Sequence, residues 1–188
     1  MTLSRVSLKA LIVAAALCYA TSPVAQDVLS DDPDILLDEL AVEGDPGEAT
    51  RLAGEVVERW SHSGSPALDL LMERAVGAAA EGDFATAIAH LTAVTDHAPE
   101  FAEGWNRRAE TFFRMERYGA ALADIEQVLI LEPRHFGALG GAGVILDILD
   151  RPHAALAAFR RAAEIYPAEE NIRDAIARLE QETGGRSL

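Results

Sequence analysis

The 188-residue sequence contains one cysteine, Cys18, and one lysine, Lys9. A lone cysteine excludes an internal disulfide framework and a cysteine-cluster metal site. Bases are scarce: 16 Lys and Arg stand against 31 Asp and Glu, for a formal net charge of −15. Binding nucleic acid needs a basic face that displaces counterions from phosphates, and docking on an anionic leaflet needs the same sign of charge, so the composition argues against both. Aromatic residues make up only 6% of the chain although 49% is hydrophobic. Much of the difference is alanine, which favours close helix packing over a sandwich of bulky side chains. There is no His-Glu-x-x-His run, no phosphate-binding glycine loop and no Gly-x-Ser-x-Gly elbow. Of the five histidines, His62, His90, His97, His135 and His153, only His90 and His97 share an expected helix. They lie two turns apart, too far to hold one metal without a third ligand. Asp124, Asp147 and Asp150 are scattered rather than paired. No catalytic residue, metal or cofactor is expected.

The longest apolar stretch, Ala10 to Ala20, follows Arg5 and Lys9. It is shorter than the ~20 residues that span a bilayer, and it fits the apolar region of a secretory signal peptide. Cleavage after Ala20 or Ala25 would remove both bases and Cys18, taking the charge from −15 to −17. Arginine supplies every other base and alanine is abundant, a bias of GC-rich bacterial genomes, so the expected location is periplasmic or secreted. Leu17 stands where a lipidated cysteine at position 18 would want a small neighbour, which makes a lipoprotein the lesser expectation.

Pro99, Pro133 and Pro167 recur at 34-residue intervals. Blocks beginning at Leu68, Ala102 and Phe136 align column by column. The eighth positions are Ala75, Ala109 and Gly143, and the twentieth are Ala87, Ala121 and Ala155. The twenty-fourth are Leu91, Ile125 and Phe159, and the twenty-seventh are Val94, Val128 and Ala162. Small residues at two fixed positions mark where paired helices cross closely, with larger apolar residues filling the flanks. Each block reads as two antiparallel helices. The turns are Glu81-Gly82-Asp83, Met115-Glu116-Arg117 and Leu149-Asp150-Arg151. Gly82 suits a left-handed helix end and Asp83 the next N-cap, and Pro152 suits a first helical turn.

The run Trp105-Asn106-Arg107-Arg108-Ala109, followed by Phe112, Tyr118, Ala121, Ile125, Val128 and Pro133, resembles a tetratricopeptide repeat (TPR). Arg108 departs from that pattern, where leucine is commonest. The resemblance implies an all-α, right-handed superhelical solenoid of antiparallel helix pairs with a C-terminal capping helix. The expected order is a signal peptide (1–25), an acidic linker (26–33), a degenerate helical hairpin (34–67), repeats at 68–101, 102–135 and 136–169, a cap (170–182) and a disordered tail (183–188). Asp45 and Glu48 read as a capping box for the hairpin's second helix. The hairpin is expected to dock on the first repeat.

The resemblance also implies that the first helices of successive repeats line a concave groove. The candidate partner-binding residues are Met72 and Val76 in the first repeat, then Asn106, Glu110, Phe113 and Arg114 in the second. Gly140, Val144, Asp147 and Ile148 follow in the third. Met72 and Val76 replace the Lys and Asn with which one TPR class clamps a C-terminal carboxylate, so that clamp is not expected. Gly137, Gly140, Gly141 and Gly143 fall within one helix, which points to close packing or a shallow groove floor. Arg107, Arg108, Arg160 and Arg161 are expected in surface ion pairs. Between Gln26 and Glu58 eleven acids accompany one base, Arg51, which reads as a solvated segment or a docking patch for a basic partner. The resulting expectation is an exported, non-catalytic adaptor for a protein or peptide, with no nucleic acid and no membrane insertion of the mature chain. The alternatives are a self-associating or membrane-tethered assembly subunit of an envelope complex and, from another class, an enzyme or metal protein using an unrecognised acidic–histidine site. Oligomeric state is left open.

Overall fold

The computed structural model describes residues 32–185; the expected signal peptide and most of the acidic linker lie outside this range. All regular structure among the described residues is helical. Helices α1 (Pro33–Val42) and α2 (Pro46–Trp60) precede three pairs: α3 (Pro66–Ala80) with α4 (Phe84–His97), α5 (Ala102–Arg114) with α6 (Tyr118–Leu131), and α7 (Phe136–Ile148) with α8 (Pro152–Ile165). Helix α9 (Glu170–Gly185) completes the array. Each second helix packs against the first helix of the next pair, and α9 packs on α8. This is the expected TPR solenoid with its cap.

The repeat columns explain the packing. Ala75, Ala87, Ala121 and Ala155 are fully buried, and Ala109 is nearly so. In the third repeat the small position is Gly143, where a Cβ would lie 2.7 Å from the ring of Phe159. The larger residue at the twenty-fourth position is therefore matched by a smaller one at the eighth. Two columns vary together because two helices share one crossing point.

The three intra-repeat turns have one geometry. Gly82, Glu116 and Asp150 occupy the left-handed region at φ 82°, 58° and 54°. The next N–H groups, of Asp83, Arg117 and Arg151, each donate at 2.9 Å to the carbonyls of Ala78, Phe112 and Leu146. This is the Schellman closure, which satisfies carbonyls left over at a helix end. Glycine fills the left-handed position in the first repeat alone, so in the others the turn was legible from its spacing and not from its residue. Pro99, Pro133 and Pro167 each follow the C-cap of a second helix, as expected.

The N-terminal hairpin departs from expectation in its docking. Leu36, Leu37, Leu40, Leu52, Val56 and Trp60 join a core with Leu139, Leu156, Phe159, Ile165, Tyr166 and Leu179. No residue of the first repeat belongs to that core. The hairpin therefore seats on the third repeat, in a core that continues into the cap. Arg134 pairs with Asp34 (3.4 Å) and Asp38 (2.8 Å), and the Thr50 and Tyr166 hydroxyls lie 3.3 Å apart. The physical reason is surface chemistry. Helix α3 presents exposed Glu73, Arg74 and Gly77, whereas the third repeat supplies the aromatic and branched side chains that six large apolar residues require. Ser63 anchors the returning linker, its hydroxyl donating to Asp69 Oδ1 at 2.6 Å.

Two smaller corrections concern helix ends. Half of the expected capping box forms: Glu48 N–H donates to Asp45 Oδ1 at 2.9 Å, but the Glu48 carboxylate pairs with Arg51, and Asp45 N–H donates to Glu43 instead. Helix α9 runs through Gly185 rather than ending at residue 182. Thr183, expected in a disordered tail, is buried, and its hydroxyl donates to the Leu179 carbonyl at 2.7 Å.

Candidate partner-binding groove

The first helices α3, α5 and α7 lie side by side and leave two adjoining depressions. The larger, about 360 Å³, lies between α5 and α7. One wall is Asn106, Ala109, Glu110, Phe113 and Arg114, and the other is Gly137, Ala138, Gly141, Val144 and Ile145, with Ile125 at the base. The smaller, about 220 Å³, lies between α3 and α5 and includes Val76, Ala79, Ala80 and Thr111. Glu110 and Arg114 border both, so the two depressions adjoin across these side chains.

Gly137 and Gly141 account for the depth of the larger depression. Both lie on the face of α7 turned toward α5, where a residue without Cβ leaves the wall recessed. A Cβ on Gly141 would meet only the Ile125 side chain, at 3.7 Å. The glycine cluster thus divides its roles. Gly143 permits close packing on Phe159, while Gly137 and Gly141 hollow the groove wall. Without those gaps Ile125 and Ile145 would be covered; their place in the site follows from neighbouring absences and not from any feature of their own.

The structure brings six of the ten candidates to the groove: Val76, Asn106, Glu110, Phe113, Arg114 and Val144. The other four lie elsewhere. Met72 is buried in the first repeat's core with Ala75, Leu91 and Val94. Gly140 faces Ile172 of the cap, at 3.8 Å from its ideal Cβ position. Asp147 pairs with Arg178 of α9. Ile148 is half exposed, one turn beyond the depression. The repeat positions that the resemblance assigns to the groove treat every repeat alike. They overlook that the third repeat's flank is occupied by α9.

The polar rim is organised by a buried acid. Glu103 is 2% exposed; it forms an ion pair with Arg107 (Nε to Oε1, 2.6 Å), accepts from Asn106 Nδ2 at 3.1 Å and lies 3.3 Å from His135 Nε2. Asn106 donates its other amide hydrogen to Glu110 at 3.3 Å, so both of its donors are committed within α5. Arg107 also reaches Glu110, at 3.0 Å. Burial acts to lower the Arg107 pKa, but the two carboxylates outweigh it and hold the guanidinium above its ordinary value. Arg114 differs. It lies over the Phe84 ring at 4.8 Å and has no carboxylate partner among the described residues.

Arg108, the departure from the repeat pattern, points away from the groove. It makes a two-pronged contact with Asp124 at 2.7 and 2.8 Å, donates to Thr95 at 2.9 Å and lies 4.8 Å above the Trp105 ring. Arg160 pairs with Glu180, not with its own helix. The described residues contain no cluster of three or more His, Cys, Asp or Glu arranged to hold a metal. No helix among them is long and apolar enough to cross a membrane.

Comparison with known proteins agrees with this architecture. Residues 72–121 and 106–170 match the tetratricopeptide-repeat model. A TPR repeat-containing protein of Rhizobium etli is 38% identical over 152 residues, covering 81% of this chain and 74% of that protein. The first TPR of Spaghetti, bound to an HSP90 peptide, is similar with a TM-score of 0.60 at 20% identity, over 62% of this chain and 93% of that one. MamA is similar with a TM-score of 0.60 at 18% identity, over 80% of this chain and 86% of its own. At these identities the likeness to the two structures is one of fold.

Proposed function

Since the chain belongs to the tetratricopeptide-repeat family, we propose that it is a non-catalytic adaptor that holds a segment of another protein in the concave groove formed by α3, α5 and α7. The observation that carries this reading is that two depressions adjoin along the first helices of all three repeats. Two largely apolar depressions that share Glu110 and Arg114 suit an extended or helical segment better than a compact solute. Similar folds that hold peptides, such as the HSP90-peptide complex above, support it. Affinity in such a groove rests on a few buried anchors. Export belongs to the same proposal, supported by Arg5 and Lys9 ahead of the Ala10–Ala20 apolar stretch.

A photo-crosslinking amino acid placed at Val144 in cells tests the groove, with the same group at Ile130, a 64% exposed position on α6, as its comparison. Adducts to another protein from position 144 and not from 130 are expected. The reverse pattern would refute the groove. Mass spectrometry of the purified protein's N-terminus tests export: an intact first residue contradicts it.

A further inference from the structure

Resting on that reading, the geometry points to a specific kind of segment: one carrying a large apolar residue next to an acidic one. The apolar side chain occupies the slot between α5 and α7, and the carboxylate meets Arg114.

The slot supplies the first half. Phe113, Val144, Ile125 and Ile145 surround a space of about 360 Å³. An aromatic or branched side chain entering it would lose most of its contact with water, the arrangement that produces binding hot spots. Small or polar residues would leave the Gly137–Gly141 recess unfilled.

Charge supplies the second half. The acid lining the groove, Glu110, already has partners in Arg107 and Asn106, and Asp147, one turn past Val144 and outside the groove, binds Arg178. Arg114 sits where the two depressions meet, lies over the Phe84 ring and has no carboxylate partner among the described residues. The carboxylate one turn before it, Glu110, is engaged elsewhere. A partner's base would find no uncommitted carboxylate at this junction, whereas a partner's acid would find an uncommitted guanidinium. The protein's large negative charge does not oppose this contact strongly, because at physiological salt charges beyond ~8 Å are screened. Beyond Arg114 the floor is formed by Ala75, Ala79 and Ala80, which leaves room for the backbone of a segment running on toward α3.

Selection of linear random peptides displayed on phage against the full chain tests the inference. The selected sequences should share a Phe, Leu, Ile, Met or Trp adjacent to Asp or Glu. Binding of synthetic versions should fall about 30-fold or more on Gly141→Leu, which fills the slot, the loss expected when a hot spot of ~2 kcal/mol is removed. Arg114→Glu should abolish the acidic preference and, on reselection, replace it with a basic one. Unchanged thermal unfolding of both variants keeps these losses assignable to the groove. Peptides that bind, depend on Val76 (lost on Val76→Arg) and ignore Gly141→Leu and Arg114→Glu would overturn this inference while leaving the groove reading intact. Failure to select any peptide, or binding indifferent to all three variants, would overturn both.

Discussion

The Trp60 indole lies flat on the His135 imidazole, with ring centroids 4.2 Å apart and planes 13° from parallel. Trp60 closes the N-terminal hairpin, and His135 caps α7 by accepting the Ala138 N–H at Nδ1, 3.1 Å away. That bond leaves the proton on Nε2, which faces Glu103. One stacked pair therefore joins the hairpin, the start of the third repeat and the buried acid beneath the groove rim. Trp60→Ala should cost about 3–5 kcal/mol, the range for truncating a buried aromatic, with amide exchange rising first across α1 and α2. Urea unfolding measures the cost. A loss below ~1 kcal/mol would show that the hairpin's seat does not depend on this stack.

Arg108, where the repeat pattern favours leucine, forms an ion pair with Asp124 at 2.7 Å. Asp124 is 5% exposed, so Arg108→Leu leaves a buried carboxylate without its cation. The expected cost is about 3–5 kcal/mol. Arg108→Leu combined with Asp124→Ala should recover most of it, because the pair's desolvation disappears with the pair. A double-mutant cycle reads the difference. Full additivity of the two single losses would refute the coupling.

Two helix-interior glycines should respond in opposite ways to alanine. At Gly77 an added Cβ meets nothing within 4 Å, and alanine should stabilise α3 by about 0.5–1 kcal/mol through helix propensity. At Gly143 the same propensity gain is overridden by a Cβ 2.7 Å from Phe159; net destabilisation of about 1–3 kcal/mol is expected from overpacking. Thermal unfolding of the two variants side by side settles the ordering. The combination Gly143→Ala with Phe159→Leu should be milder than Gly143→Ala alone if the ring is the obstacle.

Glu132, at the C-cap of α6, has its pKa pushed up by burial and further by the nearby Asp34 carboxylate, with His135 opposing. A carboxyl whose folded pKa exceeds its unfolded value contributes stability below the unfolded pKa and loses it as pH rises through the folded one. Ionised Glu132 is therefore a burden at neutral pH. Glu132→Gln should raise the unfolding midpoint at pH 7 and lose this advantage below about pH 4, where wild-type Glu132 is protonated as well. An advantage independent of pH would assign the effect to packing.

Sequence periodicity determined the helix pairs, their 34-residue spacing, the small residues at each crossing and the proline stops, because these are local or nearest-neighbour relations repeated three times over. Part of the groove was legible through the resemblance: of the positions it implies, Asn106, Glu110, Phe113, Arg114, Val76 and Val144 reach the groove. Only the tertiary structure decided that Asp147 is taken by Arg178, that Met72 turns into the core, and that Gly137 and Gly141 open a slot down to Ile125. Each depends on what a neighbouring helix leaves vacant or fills. The largest such decision is the docking of α1 and α2. A stripe of Leu36, Leu37, Leu40, Leu52, Val56 and Trp60 announces that a face must be buried, but it carries no record of which surface will bury it. Adjacency in the chain favoured the first repeat. The matching apolar and aromatic surface, with Arg134 set opposite Asp34 and Asp38, lies on the third, and hydrophobic burial follows surface complementarity rather than chain order.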